Sequence, residues 1–200
     1  MTSSHPDWLC RSLNVKDEHP VVWKAPLTPE YTVCLRPVSL HTDADIKAIH
    51  GWLSNGYPAP LPLDQLRVFF ILLGESSFAQ AFMILLNDSI PVGQFEVYQA
   101  LQDELKDVFE VTEGDYRIYI PVIPVIALHN EFTVHIIETC VQYLFSCAGV
   151  RRLFWVVPGH DKERNKIAVK TGFQLLESFP DTTIEGSQMV NLYWWTAGEW

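Results

Sequence analysis

Apolar residues recur along this chain with two different spacings, and the switches between them mark out its elements. Residues 31–38 (YTVCLRPV) read as a first strand. Beyond Thr42 or Asp43, either of which can cap a helix, Ile46, Ile49 and Leu53 recur at three- and four-residue intervals and predict a helix. The proline cluster YPAPLPLD ends it, and Asp64 is expected to cap a second helix running to about Leu73. Phe78–Leu86 and Pro91–Ala100 read as two strands joined through Asn87, Asp88 and Ser89, a hairpin by its turn residues. An acidic connection leads to a strand over Tyr116–Val125 that Pro121 and Pro124 interrupt. Phe132, Ile136, Ile137, Val141, Leu144 and Phe145 place a long helix over Asn130–Cys147, stopped by Gly149. An oily strand at Arg152–Val157, a short basic helix at Asp161–Lys170 ended by Gly172, and strands at Phe173–Phe179 and Met189–Trp195 complete the order. The pattern β-α-α-β-β-β-α-β-α-β-β predicts a mixed α/β fold, with parallel strands on either side of the Asn130 helix and antiparallel hairpins beside them.

Two hundred residues, 48% hydrophobic and 19% charged, suit one compact domain, or at most two small ones, with a sizeable core, and exclude a disordered body. Residues 1–29, with Pro6, Pro20, Pro26 and Pro29, are expected to form an extended N-terminal arm, and residues 30–200 the domain. Fourteen Lys and Arg against 24 Asp and Glu give a net charge of −10, which argues against nucleic acid or an anionic membrane as partner. The longest apolar run, Tyr119–Leu128, holds two prolines and is about half the length a bilayer needs. The start, MTSSHPDW, lacks a basic stretch followed by an apolar one, so the expectation is a soluble, cytoplasmic protein. Cys10, Cys34, Cys140 and Cys147 show neither metal-ligand nor redox spacing and read as reduced thiols; no metal is expected.

Several fragments resemble the GCN5-related N-acetyltransferase (GNAT) superfamily over residues 30–195. LRPVSLHTDADIKAIHGWLSN is similar to its opening strand and helix, VGQFEVY to the strand on which it places an acid, and KTGF to the ending of its last helix. HGWLSN, VGQFEVYQALQDEL and GDYRIYI resemble more narrowly the siderophore-biosynthesis acyltransferases, which acylate an amine or hydroxylamine on a lysine- or ornithine-derived precursor. The resemblance implies a single-domain α/β fold with a mixed sheet of about six to seven strands and about four helices. It also implies acetyl-CoA or another acyl-CoA as co-substrate and a small amine or hydroxylamine as acceptor; a homodimer is compatible with it.

The resemblance puts the acyl-CoA pyrophosphate at the loop opening the central helix, where small residues allow backbone approach and unpaired N–H groups point outward. The family pattern there is Arg/Gln-x-x-Gly-x-Gly/Ala, but this chain has VIALHNEF, with His129 and Glu131 where the glycines would stand. A carboxylate 4 Å from the pyrophosphate costs up to about 4 kcal/mol at an effective dielectric near 20, or about three decades of affinity. The implied cofactor contacts are Ile123, Val125, Leu128, His129 and Asn130, with Arg164 and Lys166 from the basic helix. Residues 151–170 hold six of the fourteen cations against Asp161 and Glu163, so this segment is +4 and the rest of the chain −14. Phosphate binding and a solvated helical face both account for that run.

The acid–base residues of the resemblance also differ. The histidine of the siderophore-type enzymes corresponds to Tyr119, five residues after the Gly114 of Gly114-Asp115. Their aspartate falls on Pro158 without a gap and on Asp161 with a short one, and the tyrosine of many other members falls on Ala168. Glu96 alternates with Phe95 and Val97 on its strand and is either a base or water-holder, or a solvated carboxylate. Tyr119 is either a proton donor to the leaving thiolate or a packed strand tyrosine. His50 and Trp52 on the first helix, with Asp115, are the candidate acceptor-binding residues. The segment 96–115, seven acids against Lys106, suits a cationic acceptor or is simply solvated. Tyr193, Trp194 and Trp195 frame a pocket, mark a partner surface or pack in the core. Two functions follow: acyl-CoA-dependent N-acyltransfer to a small amine or hydroxylamine, in siderophore biosynthesis by the narrower resemblance, or a catalytically degenerate GNAT-like fold serving as a ligand-binding or protein-interaction module.

Overall fold

The computed structural model describes residues 21–56, 61–122, 130–181 and 188–198. The chain falls into two compact units, residues 1–97 with 120–132, and residues 98–119 with 133–200. Among the described residues there are eight strands and four α-helices, which bears out the mixed α/β class with one strand more than the sequence predicts.

In the first unit the strands run in the order β1 (Trp23–Pro26), β2 (Thr32–Pro37), β3 (Ala79–Leu86) and β4 (Ile90–Gln99). β1 is the additional strand. It lies within the expected arm and pairs antiparallel with β2, from Trp23 opposite Leu35 to Pro26 opposite Thr32. Its proline hides it from a strand pattern, yet Pro26 sits at the end of an edge strand, where a missing N–H costs nothing. β3 is buried at every position, matching its unbroken apolar sequence AQAFMILL. Asn87 (φ 50°) and Asp88 (φ 63°) make a type I′ turn into β4, closed by Ser89 N–H donating to Leu86 O at 3.2 Å.

Helix α1 (Ala44–Gly56) buries Ile46 and Ile49, as its spacing predicts. Its first turn is tied to β2, because Asp45 accepts from both Arg36 Nη atoms at 2.6 and 2.7 Å and from Ser39 N–H at 2.8 Å. Helix α2 (Leu63–Glu75) packs on α1 and β3 through Leu66, Phe70 and Leu73. Pro62, not Asp64, occupies its N-cap, so Asp64 acts only through its charge in the first turn.

In the second unit the order is β5 (Asp115–Val122), β6 (Arg152–Pro158), β8 (Gln188–Thr196), β7 (Gln174–Asp181). β5 and β6 are parallel across α3 (Asn130–Ser146), while β6–β8 and β7–β8 are antiparallel. Within the described residues β5 runs from Asp115 to Val122 with Pro121 buried, and the expected end at Val125 lies outside them. α3 buries Val134, Ile136, Ile137, Cys140, Val141 and Leu144. Helix α4 (Lys162–Lys170) is capped by Asp161, which accepts from Arg164 N–H at 2.9 Å, and stops at Gly172 with φ +94°. A side chain at Gly172 would meet the Trp195 ring at 3.1 Å, which makes the glycine doubly necessary. Trp155, Phe173, Trp195 and Phe145 form a chain of edge-to-face contacts, with centroids 5.4–6.1 Å apart. Tyr193 and Trp195 are therefore core residues, and Trp194 packs half-buried against Phe154 and Leu192.

Candidate active site

β4 carries two polar side chains through an apolar interior. Gln94 is 0% exposed and Glu96 3%, and Gln94 Nε2 donates to Glu96 Oε1 at 2.9 Å. Strand alternation puts them on one face, and on the other Phe95 stacks on Phe82 of β3 with centroids 4.9 Å apart. Glu96 is thus no solvated strand carboxylate. A buried carboxylate needs hydrogen-bond donors, and the neighbouring amide supplies one. The first unit also holds α1, on which His50 and Trp52 are both half-buried.

In the second unit β5 alternates sharply. Tyr116 and Ile118 are buried, while Asp115, Arg117 and Tyr119 share the other face, each with a different role. The Asp115 carboxylate is held by Arg152 Nε at 2.7 Å, by Arg152 Nη2, and by Thr112 N–H at 2.6 Å with its hydroxyl at 3.1 Å. Those hydrogen bonds raise the Arg152 guanidinium above its ordinary range. Arg117 donates to both Asp103 oxygens at 2.7 Å and lies 4.9 Å over the Tyr98 ring. Burial opposes the Arg117 charge, and the Asp103 carboxylate more than restores it, leaving its pKa raised. Asp103 also accepts from Leu105 N–H at 3.0 Å, so one carboxylate fixes β5 and the two short 3-10 turns at Ala100–Gln102 and Glu104–Asp107. Tyr119 is half-buried.

α4 is locked down by Asn165. Its Nδ2 donates to Pro158 O at 2.8 Å and Asp161 O at 2.6 Å, and its Oδ1 accepts from Tyr193 Oη at 2.8 Å and Asn191 Nδ2 at 2.6 Å. Burial pushes the Tyr193 phenol up, which suits its role as a donor. Asp161 combines the cap with an ion pair to Arg164 Nε at 3.4 Å, while Lys166 is exposed.

No protein-family model and no curated protein matches the chain. Solved structures do. A probable acetyltransferase of the GNAT family from Chromobacterium violaceum matches with a TM-score of 0.66 at 14% identity, covering 90% of this chain and 92% of that one. An aminoglycoside acetyltransferase in complex with coenzyme A matches at 0.67 and 18% identity, over 82% of this chain and 94% of its own. The spermidine N-acetyltransferase of Vibrio cholerae, in complex with CoA and spermine, matches at 0.65 and 14%, over 82% and 95%. The fold is that of the GNAT acetyltransferases.

Within this GNAT fold, Glu96, His50 and Trp52 lie in the first unit, and Tyr119, Asp115, Asp161, Arg164 and Lys166 in the second. Asp115 and Asp161 are engaged by protein groups, as pair partner and helix cap. Ile123, Val125, Leu128 and His129 lie outside the described residues, and Asn130 opens α3. Glu131, the residue in place of the second glycine, is exposed in the first turn of α3. A solvated carboxylate is screened, so the penalty of about 4 kcal/mol expected from the sequence falls toward 1 kcal/mol or less. The residues that sequence reasoning missed are Gln94, the Arg117–Asp103 clamp and the Asn165 node. Gln94 had a readable signal, since it stands two residues before Glu96 in a strand and must share its face. Among the described residues no group of three or more His, Cys, Asp or Glu could hold a metal, and no helix is long and apolar enough to cross a membrane.

Proposed function

We propose that this chain is an acyl-CoA-dependent N-acetyltransferase that acts on a small amine or hydroxylamine by direct transfer. The observation that carries the reading is the buried Gln94–Glu96 pair on β4 of a GNAT fold. Spermidine, spermine and aminoglycosides, the compounds named for the similar structures, and N-hydroxylated lysine or ornithine derivatives of the siderophore type are the acceptors to test. Bound acyl-CoA supplies the activated thioester. Glu96 takes the proton that the amine nitrogen loses as it bonds to the acyl carbon, and the carbon–sulfur bond breaks to release the CoA thiolate, which takes a proton from solvent. The first-turn amides of α3, beginning at Asn130, offer donors to the pyrophosphate, and Arg164 and Lys166 offer charge to the phosphates. A cytoplasmic location and a homodimer belong to the same proposal.

A second reading, a degenerate GNAT fold used as a binding module, is favoured by the engagement of Asp115 and Asp161 within the protein and by Ala168, buried and without a hydroxyl. One experiment separates the two. Calorimetry with acetyl-CoA is followed by colorimetric thiol release over the amine panel, for wild type and Glu96→Gln. The enzyme reading expects thiol release by wild type and a kcat lowered about 10²- to 10⁴-fold in Glu96→Gln with acetyl-CoA affinity unchanged. Heat of acetyl-CoA binding without thiol release from any amine supports the binding module instead.

A further inference from the structure

Among the described residues, only the NH2 half of the Gln94 amide is used. The side chain is fully buried, its Oε1 has no hydrogen-bond partner among the described residues, and its Nε2 donates to Glu96 Oε1 at 2.9 Å. Leaving a buried carbonyl oxygen without a donor destabilises a fold, and an apolar side chain of the same volume would avoid that cost. Local rules broken at the expense of stability mark functional positions. The amide accounts for itself only through what it does to Glu96. A glutamate side chain ends in a torsion with broad minima, so a carboxylate without a fixed donor swings about its terminal bond. A donor at 2.9 Å on one oxygen, from the next residue on the same strand face, fixes that plane.

We propose that Gln94 is a positioning residue, whose amide holds the Glu96 carboxylate in the orientation used for proton removal from the acceptor. This inference rests on the reading of Glu96 as the base. A positioning role and a structural role predict different outcomes for removal of the amide. Gln94→Met, with Gln94→Leu as a second apolar variant, is measured for melting temperature, acetyl-CoA affinity, and KM and kcat with an amine that wild type acetylates. The positioning role expects acetyl-CoA affinity and KM within about twofold and kcat lowered about 10- to 100-fold, the scale of a misplaced catalytic group, with melting lowered because the buried carboxylate loses a donor. Wild-type kcat in either variant overturns the proposal and leaves the acetyltransferase reading intact. A KM or acetyl-CoA affinity that worsens as much as kcat falls shows a structural amide and likewise overturns it. Wild-type protein that acetylates no amine overturns the acetyltransferase reading and this role together, so the two failures are distinguishable.

Discussion

Replacing Asp103 by asparagine tests the electrostatics of the second unit most directly. The shape is conserved, but one oxygen becomes an NH2 group facing an Arg117 N–H, and the guanidinium loses its counter-charge. Arg117 is 14% exposed and Asp103 6%, with both contacts at 2.7 Å, so neither charge has water to fall back on. Breaking one side of such a pair costs about 3–5 kcal/mol. Glu104 offsets part of this. Its Oε1 lies 3.7 Å from Arg117 Nη2, but its side chain is 70% exposed, and a solvated partner of that kind returns only about 0.2–1 kcal/mol. The expected loss is therefore about 3 kcal/mol, or roughly 6–12 °C in melting temperature for a chain of this size.

The double variant sharpens the test. Arg117→Met alone leaves the Asp103 carboxylate buried and is expected to cost as much as Asp103→Asn. Asp103→Asn with Arg117→Met removes both charges, keeps an oxygen for Leu105 N–H, and is expected to recover most of the loss, because a desolvated pair is worth little once neither charge is left buried alone. Urea denaturation followed by tryptophan fluorescence gives the four corners of this cycle. A single-substitution loss below about 1 kcal/mol, or a double variant equal to the sum of its parts, would refute the argument that this pair is desolvated.

Three further outcomes are expected. Gly114→Ala combines φ +91° with a Cβ only 2.7 Å from Gly149 O, and should lose about 3 kcal/mol in chemical denaturation; Gly149→Ala, at φ +87° with nothing within 4 Å, should lose only about 1–2 kcal/mol. Tyr116 and Tyr193 have phenols pushed up by burial, so above the ordinary tyrosine range of about 10 the unfolded chain ionises first and binds fewer protons. Their stability contribution is complete below that range and is lost as pH rises through it. The urea midpoint should fall on the alkaline side, less steeply in Tyr116→Phe, and an unchanged slope there would sink the assignment. Glu131→Gln should tighten acetyl-CoA binding by calorimetry no more than about fivefold, since the side chain is solvated; a gain of two decades would place its carboxylate against the phosphates.

Periodicity made most of the fold legible, because the burial of Ile46 and Ile49 on α1 or of Ile136, Val141 and Leu144 on α3 follows from spacing alone. β1 escaped that logic, since a four-residue edge strand bounded by proline has no alternation to read. The facing of Glu96 was legible through its strand neighbours, whereas pairings between partners distant in sequence were not. Arg36 and Asp45 are nine residues apart, Arg117 and Asp103 fourteen, Arg152 and Asp115 thirty-seven. No local pattern announces such pairs. Only the topology brings them together, β5 beside β6 in the last case.

Those pairings change what the charge runs mean. The acidic segment 96–115 has seven carboxylates in sequence, yet Glu96 is buried beside Gln94, and Asp103 and Asp115 are matched by Arg117 and Arg152. Four exposed acids remain, Glu104, Asp107, Glu110 and Glu113, against Lys106, so the segment shows solvent about half the charge its composition suggests. The basic segment 151–170 is trimmed less. Arg152 is committed to Asp115, and Arg164 and Asp161 offset one another, leaving Arg151, Lys162, Lys166 and Lys170 against Glu163. Its surviving +3 is nearly the whole of its sequence value of +4. An anionic co-substrate therefore meets most of the positive charge that the sequence promises, whereas a cationic acceptor meets a much weaker field. On the proposed function, recognition of that acceptor rests on short-range groups such as Glu96, whose effect in a dry interior does not depend on net charge.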